Sequence, residues 1–320
     1  MKYRQLGRCG FAVSEIGFGA WGIGGTTDGL TSYGATDDKV SLAALGRALD
    51  RGVNFFDTSS VYGYGRSEQL IGQAFKNARD RVVIATKAGF TRWDDEPDFS
   101  PDAIVHSCEQ SLGRLQTDHV DLLQLHNPSP EAIRRDDVIA ALERLVRQGK
   151  TRAWGLSMRS PTDALVSLNE TKPPVLQVNL NMMDVRAVAS GLLDAAHETD
   201  VGIIARTPLC FGFLSGSVGP ETVFAPGDHR NGWPPAQIEA WSAGADRVLA
   251  SVPHPAGSTA TQAALRFCLS FQPVSTVIPG MLTPDEVDEN VGASGLGPLP
   301  RSAVEAVLAL NRTHSFFVRD

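Results

Sequence analysis

Short apolar runs alternate with longer stretches in which apolar positions recur every three or four residues, from residue 16 to about residue 290. The short runs have the length and β-branched content of strands, and the longer stretches have the period of amphipathic helices. Eight runs stand out, at residues 16–19, 53–56, 82–85, 120–125, 152–156, 175–179, 202–205 and 276–278. Most are nearly all apolar, as expected of strands covered on both faces of a parallel sheet. The helical period is plain at Ile104, Cys108, Leu112 and Leu115, and at Val138, Leu142, Leu145 and Val146 before Gly149. Ser67 and Glu68, ahead of Leu70, Ile71, Ala74 and Phe75, mark a further helix start.

Eight βα units in succession predict an α/β protein built as a (β/α)8 TIM barrel, with residues 1–320 forming one domain. An open doubly wound sheet of this length would carry a second domain of different composition, and no linker divides the chain, so no separate Rossmann domain is expected. Two segments stand outside the repeat. Residues 3–15 hold the turn Gly7-Arg8-Cys9-Gly10 between short alternating runs and predict an N-terminal β-hairpin that closes the bottom of the barrel. Residues 209–258 form the longest βα connection and are rich in Gly and Pro, as in barrel loops that make lids or binding walls.

Composition narrows the functional classes and leaves the fold reading intact. The 320 residues, 42% hydrophobic and 20% charged, suit a globular protein with a large core. A net charge of −7 and a pI near 5.5 give no general attraction to phosphate backbones, and no local basic patch stands out, so nucleic acid is not an expected partner. No signal-peptide core and no bilayer-length apolar span are present, which predicts a cytoplasmic protein without membrane contact. Cys9, Cys108, Cys210 and Cys268 lack metal-ligand or disulfide spacing, and Cys108 and Cys268 fall on apolar helix faces as small buried hydrophobes. No metal site is expected, and the sequence carries no sign of oligomeric state.

Gly17-Phe18-Gly19-Ala20-Trp21-Gly22 has the GxGxxG spacing of a dinucleotide fingerprint and follows a strand. Its context is wrong. The glycines should open a helix, whereas another glycine-rich stretch follows and no helical period begins until about Asp37. The segment reads as a barrel loop, with Trp21 facing a pocket or covering the core. The ionisable residues fall elsewhere. Asp57 follows the second strand run, Tyr62 lies five residues on, and Lys87 and His126 follow the third and fourth. All four sit at the carboxyl end of the sheet, where barrels keep their chemistry.

Singly, such residues are more often helix caps, solvated charges or structural histidines. Together they make an acid. A phenol, with an unperturbed pKa of about 10, holds a proton to donate at neutral pH. A nearby ammonium favours the phenolate, and a carboxylate beside the ammonium keeps it charged and in place. A neutral imidazole beside the phenol can orient a carbonyl oxygen. The set predicts reduction of a small-molecule carbonyl substrate with Tyr62 as general acid. Trp93, in the loop after Lys87, is either pocket wall or ordinary loop packing.

Asp57-Thr58-Ser59-Ser60-Val61-Tyr62-Gly63, Ala85-Thr86-Lys87-Ala88-Gly89 and Leu122-Leu123-Gln124-Leu125-His126 resemble three motifs of the aldo-keto reductase family, in order and at fitting separations. Gly65-Arg66-Ser67-Glu68, Gly155-Leu156-Ser157, Pro208-Leu209 with Gly212-Phe213-Leu214-Ser215-Gly216, and Ile278-Pro279-Gly280 extend the resemblance over nearly the whole chain. The resemblance implies an NAD(P)H-dependent oxidoreductase that exchanges hydride between nicotinamide and an aldehyde, ketone or sugar. By position it implies Asp57, Tyr62, Lys87 and His126 as the catalytic tetrad. It puts Ser157 and Gln177 at the nicotinamide amide and ring, Leu214 and Ser215 at the pyrophosphate, and Glu289 and Asn290 near the adenine. Gly19, Ala20 and Trp21 would border the ribose and the substrate pocket.

The departures from the family pattern concern the cofactor. Met158 stands where the family often has Asn. Arg206 stands where many members stack an aromatic ring, and it either stacks on the nicotinamide or holds an anionic substrate group. Glu286 stands where NADPH-preferring members commonly have a base, Gly280 stands where they often have another, and no Lys or Arg lies between Arg266 and Arg301. A carboxylate repels a 2′-phosphate. NADP(H) therefore follows from the family and NAD(H) from Glu286 and Gly280, unless a base from the long loop, such as Arg230, swings in. Two other functions share these residues. One is a nucleotide-binding regulatory subunit on the same fold, against which the intact tetrad counts. The other is a Schiff-base lyase or isomerase using Lys87, against which Asp57 counts by keeping the amine protonated.

Overall fold

The structure, a computed structural model, describes residues 1–318. An antiparallel hairpin, β1 (Tyr3–Gln5) and β2 (Ala12–Ser14), precedes eight parallel strands. These are β3 (Phe18–Gly19), β4 (Phe55–Asp57), β5 (Val83–Ala88), β6 (Val120–His126), β7 (Thr151–Met158), β8 (Val175–Asn179), β9 (Gly202–Arg206) and β10 (Val274–Ile278). Neighbours run in sequence order from β3 to β10. Backbone bonds close the seam: Gly17 N–H donates to Val277 O at 2.8 Å, Val277 N–H to Glu15 O at 2.9 Å, and Gly19 N–H to Pro279 O at 2.9 Å. A Cβ on Gly19 would lie 2.8 Å from the Ile278 carbonyl oxygen, so the seam closes only around a glycine.

The helical layer comprises α1 (Asp38–Asp50), α2 (Arg66–Phe75), α3 (Pro101–Leu115), α4 (Pro130–Ile133), α5 (Asp136–Arg147) and α6 (Pro161–Thr171), followed by α7 (Arg186–Ala189) and α8 (Leu192–Glu198). It is completed by α9 (Pro235–Ala250), α10 (Ala260–Leu269), α11 (Pro284–Leu296) and α12 (Arg301–Thr313). Side-chain caps set several starts: Asp37 accepts from Lys39 and Val40 N–H ahead of α1, and Ser100 from Ala103 N–H ahead of α3. None of the helices among the described residues is long and apolar enough to cross a membrane.

The strands bury two cores. The outer one lies between sheet and helices. The inner one fills the bottom of the barrel, where Leu6, Phe11 and Val13 of the hairpin region pack on Phe55, Val83, Ala85, Leu122, Val175, Ile204 and Ile278 from the strands. Leu6 and Val13 are fully buried, each contributing roughly 1.5–3 kcal/mol to holding the plug in place. The predicted closure of the barrel bottom is thus what the structure has.

Three readings need correction. Asp57 and His126 are the last residues of their strands and Lys87 is the second-last of its own, so all three lie inside the sheet and not beyond it. Ser67 does not start α2. That helix begins at Arg66 behind Gly65, and the buried Ser67 hydroxyl donates to Ala20 O at 2.8 Å. Finally, the connection after β9 is not one long loop: it holds the sixteen-residue helix α9, which leaves irregular segments ahead of Pro235 and after Ala250.

Tyr62 begins a tight turn in which Gly63, Tyr64 and Gly65 all have positive φ, at 60°, 50° and 96°. The turn is pressed against the loop after β3: a Cβ on Gly24 would lie 2.9 Å from Gly63 N, and one on Gly63 would collide with the Gly24 carbonyl. Gly63→Ala adds the left-handed penalty of about 1–2 kcal/mol to that collision. Urea unfolding should show a loss of at least this size, and carbonyl turnover should fall at least tenfold as the Tyr62 turn shifts. A variant with wild-type stability and turnover would show that the two loops are not locked.

Candidate active site

The site is built from strand termini at the carboxyl end of the barrel. Lys87 and Asp57 are fully buried there, and the ammonium donates to Asp57 Oδ1 at 2.5 Å and to Thr58 O at 2.9 Å. Asp57 Oδ2 accepts from Gln177 Nε2 at 2.7 Å and from Gln124 Nε2 at 3.1 Å. Strand register explains the gathering: Gln124 pairs with Lys87, Ser157 with His126, and Gln177 with Ser157 on successive strands. Ser157 Oγ donates to Gln177 Oε1 at 3.2 Å, extending the network across the mouth. A buried ion pair carries a desolvation cost of several kcal/mol per ion, which such extra hydrogen bonds offset.

Tyr62 faces this pair. Its hydroxyl lies 3.4 Å from Lys87 Nζ, and the ammonium sits 5.0 Å from the ring centroid. His126 stands edge-on to Tyr62, with 6.0 Å between ring centroids and an interplanar angle of 86°. Burial, with the charges of Lys87, Arg206 and Arg159 adding to it, pushes the imidazole pKa well below its ordinary value, so His126 is neutral. Its Nδ1 lies 3.3 Å from Ser59 Oγ. Trp93 lies nearly parallel to Tyr62 at 6.1 Å and 5.7 Å from His126, so it is wall of the same pocket. Trp21 closes another side at 6.5 Å from Tyr62, its indole N–H donating to Thr31 O.

The residues expected around a nicotinamide fall into two groups. Ser157, Gln177 and Arg206 join the central network: Arg206 Nε donates to Asn179 Oδ1 at 2.8 Å, Nη1 to Ser157 Oγ at 3.1 Å, and Nη2 to Asn127 Oδ1 at 3.1 Å and Met158 O at 3.2 Å. Gly19, Ala20 and Gly280 line the seam, and Gly280 faces open space, since a Cβ there would meet nothing within 4 Å. Leu214 is buried in the turn after β9, and Ser215 Oγ donates to Gly212 O at 2.6 Å. Glu286, Glu289 and the buried Asn290 lie in the first two turns of α11. Open backbone at Gly280, a helix start beside it and polar donors at the barrel mouth fit an extended dinucleotide.

Two side chains are more committed than their sequence positions indicate. Glu286 completes a capping box with Thr283, its Oε2 accepting from Leu282 N at 2.5 Å and Thr283 N at 3.3 Å. Arg230 does not swing freely toward a phosphate: it is ion-paired with buried Asp228 at 2.7 Å, donates to Phe211 O, and stacks on Tyr33 and Phe224. Sequence reasoning missed Gln124, Asn127, Asn179, Tyr33 and His229. A signal existed for two of them, because Gln124 precedes His126 by two and Asn179 follows Gln177 by two, placing each pair on one strand face. Among the described residues no cluster of His, Cys, Asp or Glu is arranged to hold a metal ion. All four cysteines are free, and burial pushes each thiol up, Cys108 to about 11.

A sequence profile described as the Aldo/keto reductase family matches residues 15–312. The chain belongs to that family. It is 32% identical to the L-galactose dehydrogenase of Arabidopsis thaliana over 325 residues, covering 96% of this chain and 94% of the relative. It is 34% identical over 241 residues to an aldo-keto reductase of Bacillus subtilis, covering 72% of this chain and 69% of the relative. Among solved structures, a glycerol dehydrogenase from Gluconobacter oxydans superposes with a TM-score of 0.81 at 26% identity, covering 99% of this chain and 97% of its own. The holo form of an aldo-keto reductase from Bacillus halodurans gives 0.79 at 27% identity, covering 97% and 96%. As an aldo/keto reductase, the chain is an NAD(P)H-dependent oxidoreductase acting on carbonyl or alcohol groups.

Two loops of this aldo/keto reductase meet over the mouth, where His229 N–H donates to Ser32 O at 2.7 Å. The His229 ring lies 4.7 Å from Trp21, 4.9 Å from Tyr33 and 4.9 Å from Trp233, and its buried Nε2 has no protein partner among the described residues. Burial pushes its pKa down to about 4. An unfolded histidine takes up its proton near pH 6.5, whereas folded His229 refuses it until about pH 4, so the unfolded state binds more protons between those values. Stability should therefore fall as pH drops from about 6.5 to about 4 and be level above that window. Urea midpoints measured across the range should flatten in His229→Asn. Parallel curves for the two proteins would mean that His229 is not held neutral.

Proposed function

We propose that Tyr62 moves the proton in a reversible exchange of hydride between a nicotinamide and a small polyhydroxylated aldehyde, ketone or sugar, or the matching alcohol. One observation carries this reading: the buried Lys87 ammonium, bonded to Asp57 at 2.5 Å, lies 3.4 Å from the Tyr62 hydroxyl. The nicotinamide, when bound, supplies or accepts the hydride. Tyr62 protonates the carbonyl oxygen, and the ammonium stabilises the negative charge left on the phenol oxygen. Asp57 keeps Lys87 charged and fixed, which also removes the free amine that a Schiff-base reaction needs. Neutral His126, with Ser59 at one ring nitrogen, offers the other to the substrate oxygen and orients it.

The aromatic faces of Tyr62, Trp93 and Trp21 suit the C–H faces of a sugar or polyol, and two of the relatives are named for L-galactose and glycerol. Ser157 and Gln177 would hold the nicotinamide amide, and residues 214–215 and 280–290 the rest of the dinucleotide, with the whole chain working as one domain. We place NAD(H) ahead of NADP(H). Glu286 sets a carboxylate at the start of α11, and Arg230, the base of the long connection considered for this role, is already paired with Asp228.

Tyr62→Phe should lower turnover of any carbonyl substrate by roughly 100- to 10,000-fold while the dissociation constant for reduced cofactor changes less than threefold. Fluorescence titration and stopped-flow absorbance at the nicotinamide band would measure both. Retention of most activity would dismiss Tyr62 as the acid. Separately, Glu286→Gln keeps the cap geometry and removes the charge, so the ratio of kcat/KM for NADPH over NADH should rise about three- to tenfold. An unchanged ratio would place the 2′-phosphate away from α11.

A further inference from the structure

Two arginines stand at the mouth without a counter-ion. Arg206 ends β9, is only half-buried by surface area, and donates four of its five N–H groups to neutral acceptors from the ends of β6, β7 and β8. The carboxylates whose charges reach it, Asp57 and Asp184, are committed elsewhere, to Lys87 at 2.5 Å and to Arg186 at 2.6 Å. Arg159 directly follows the last residue of β7, is exposed, and makes no hydrogen bond or ion pair through its side chain among the described residues. Arg206 Nη2 donates to the carbonyl of Met158, the residue before Arg159, and His126 pairs with Ser157 in the same strand end, so the end of β7 brings Arg159, Arg206 and His126 to one side of the mouth.

Charges grouped this way repel each other unless an anion joins them. Arg206 is held by neutral partners, with one N–H left over, and Arg159 is an exposed cation at the end of the neighbouring strand β7. The tetrad adds no compensating charge, because Lys87 and Asp57 cancel. We infer that this side of the pocket recognises a carboxylate or phosphate on the substrate, so that the preferred carbonyl compound or alcohol is an anion. This inference rests on the hydride-exchange reading of the same site. The dinucleotide phosphates are a poorer match for Arg159. The segments proposed to hold them follow β9 and β10, whereas Arg159 follows β7, and the fork of Arg206 reaches back toward β6, β7 and β8.

The test uses matched pairs of aldehydes that differ in one anionic group: glucuronate against glucose for the carboxylate, and glyceraldehyde 3-phosphate against glyceraldehyde for the phosphate. With the wild-type enzyme and saturating cofactor, kcat/KM should favour the anionic member of at least one pair by tenfold or more, and the preference should shrink as salt rises. The pair that shows it identifies the anion. In Arg159→Ala the preference should drop to less than threefold through a higher KM at unchanged kcat, with the neutral aldehyde unaffected, and Arg159→Lys should restore most of it. Arg159 is exposed, so these variants should fold normally, and their unfolding midpoints provide the control. Turnover of the aldehydes without a charge preference would overturn this inference and leave the hydride-exchange reading standing. Weaker NADH binding in Arg159→Ala with the preference intact would also overturn it, by assigning the cation to the cofactor. No turnover of any aldehyde, and no oxidation of the matching alcohols, would overturn both.

Discussion

The buried Lys87–Asp57 ion pair is the constraint around which the barrel mouth is organised. A lone ammonium or carboxylate at that depth would be prohibitively costly, and the pair is tolerated because both partners also hold further hydrogen bonds. Gln124 and Gln177 occupy the second carboxylate oxygen, and the Thr58 carbonyl takes another ammonium proton. Strands β4, β5, β6 and β8 thus each contribute a polar group to one ion pair, whereas the same strands are apolar toward the barrel bottom. The pair also dictates where the phenol must be. Tyr62 reaches it only through a turn with three successive positive φ angles, strain that the Gly24–Gly63 contact holds in place.

Around that centre the electrostatics are uneven. The tetrad is neutral as a unit, the β10–α11 side presents the Glu286 carboxylate, and the β7–β9 side presents two unpaired guanidinium groups. The two sides of the barrel mouth therefore differ in sign, with the aromatic pocket of Tyr62, Trp93 and Trp21 at the mouth. Such a gradient orients a ligand before any short-range contact forms, because a molecule with an anionic end is favoured in one direction and disfavoured in the other.

Much of this was legible in the sequence, for identifiable reasons. Alternating periods of apolar residues gave the eight βα units, since buried parallel strands read as continuous apolar runs. The gathering of Asp57, Tyr62, Lys87 and His126 was legible because all four lie at or just after strand ends, which a barrel brings together. Strand boundaries were misjudged at the same places: an apolar run stops at Asp57, Lys87 and His126, but the backbone pairing continues through them, because the inner face turns polar before the sheet ends. Ser67 read as the helix start and is a buried donor one residue inside it, since α2 begins at Arg66 behind Gly65 with φ of 96°. The capping role of Glu286 was readable from the capping-box spacing of Thr283-Pro284-Asp285-Glu286. The commitments of Arg206 and Arg230 were not readable, because their partners come from several strand ends and from a loop that doubles back.

The hairpin at the opposite end has a consequence for traffic. With Leu6, Phe11 and Val13 filling the barrel floor, no path leads through the molecule, and the mouth serves as both entrance and exit. Reactants that share one doorway must take turns, and whichever lies deeper is trapped until the shallower one leaves. A nicotinamide seated against Ser157 and Gln177 on the strand ends, beneath a substrate between Tyr62 and Trp93, would enter first and depart last. A plug of three apolar side chains at the end farthest from the chemistry thus leaves both reactants a single doorway at the mouth.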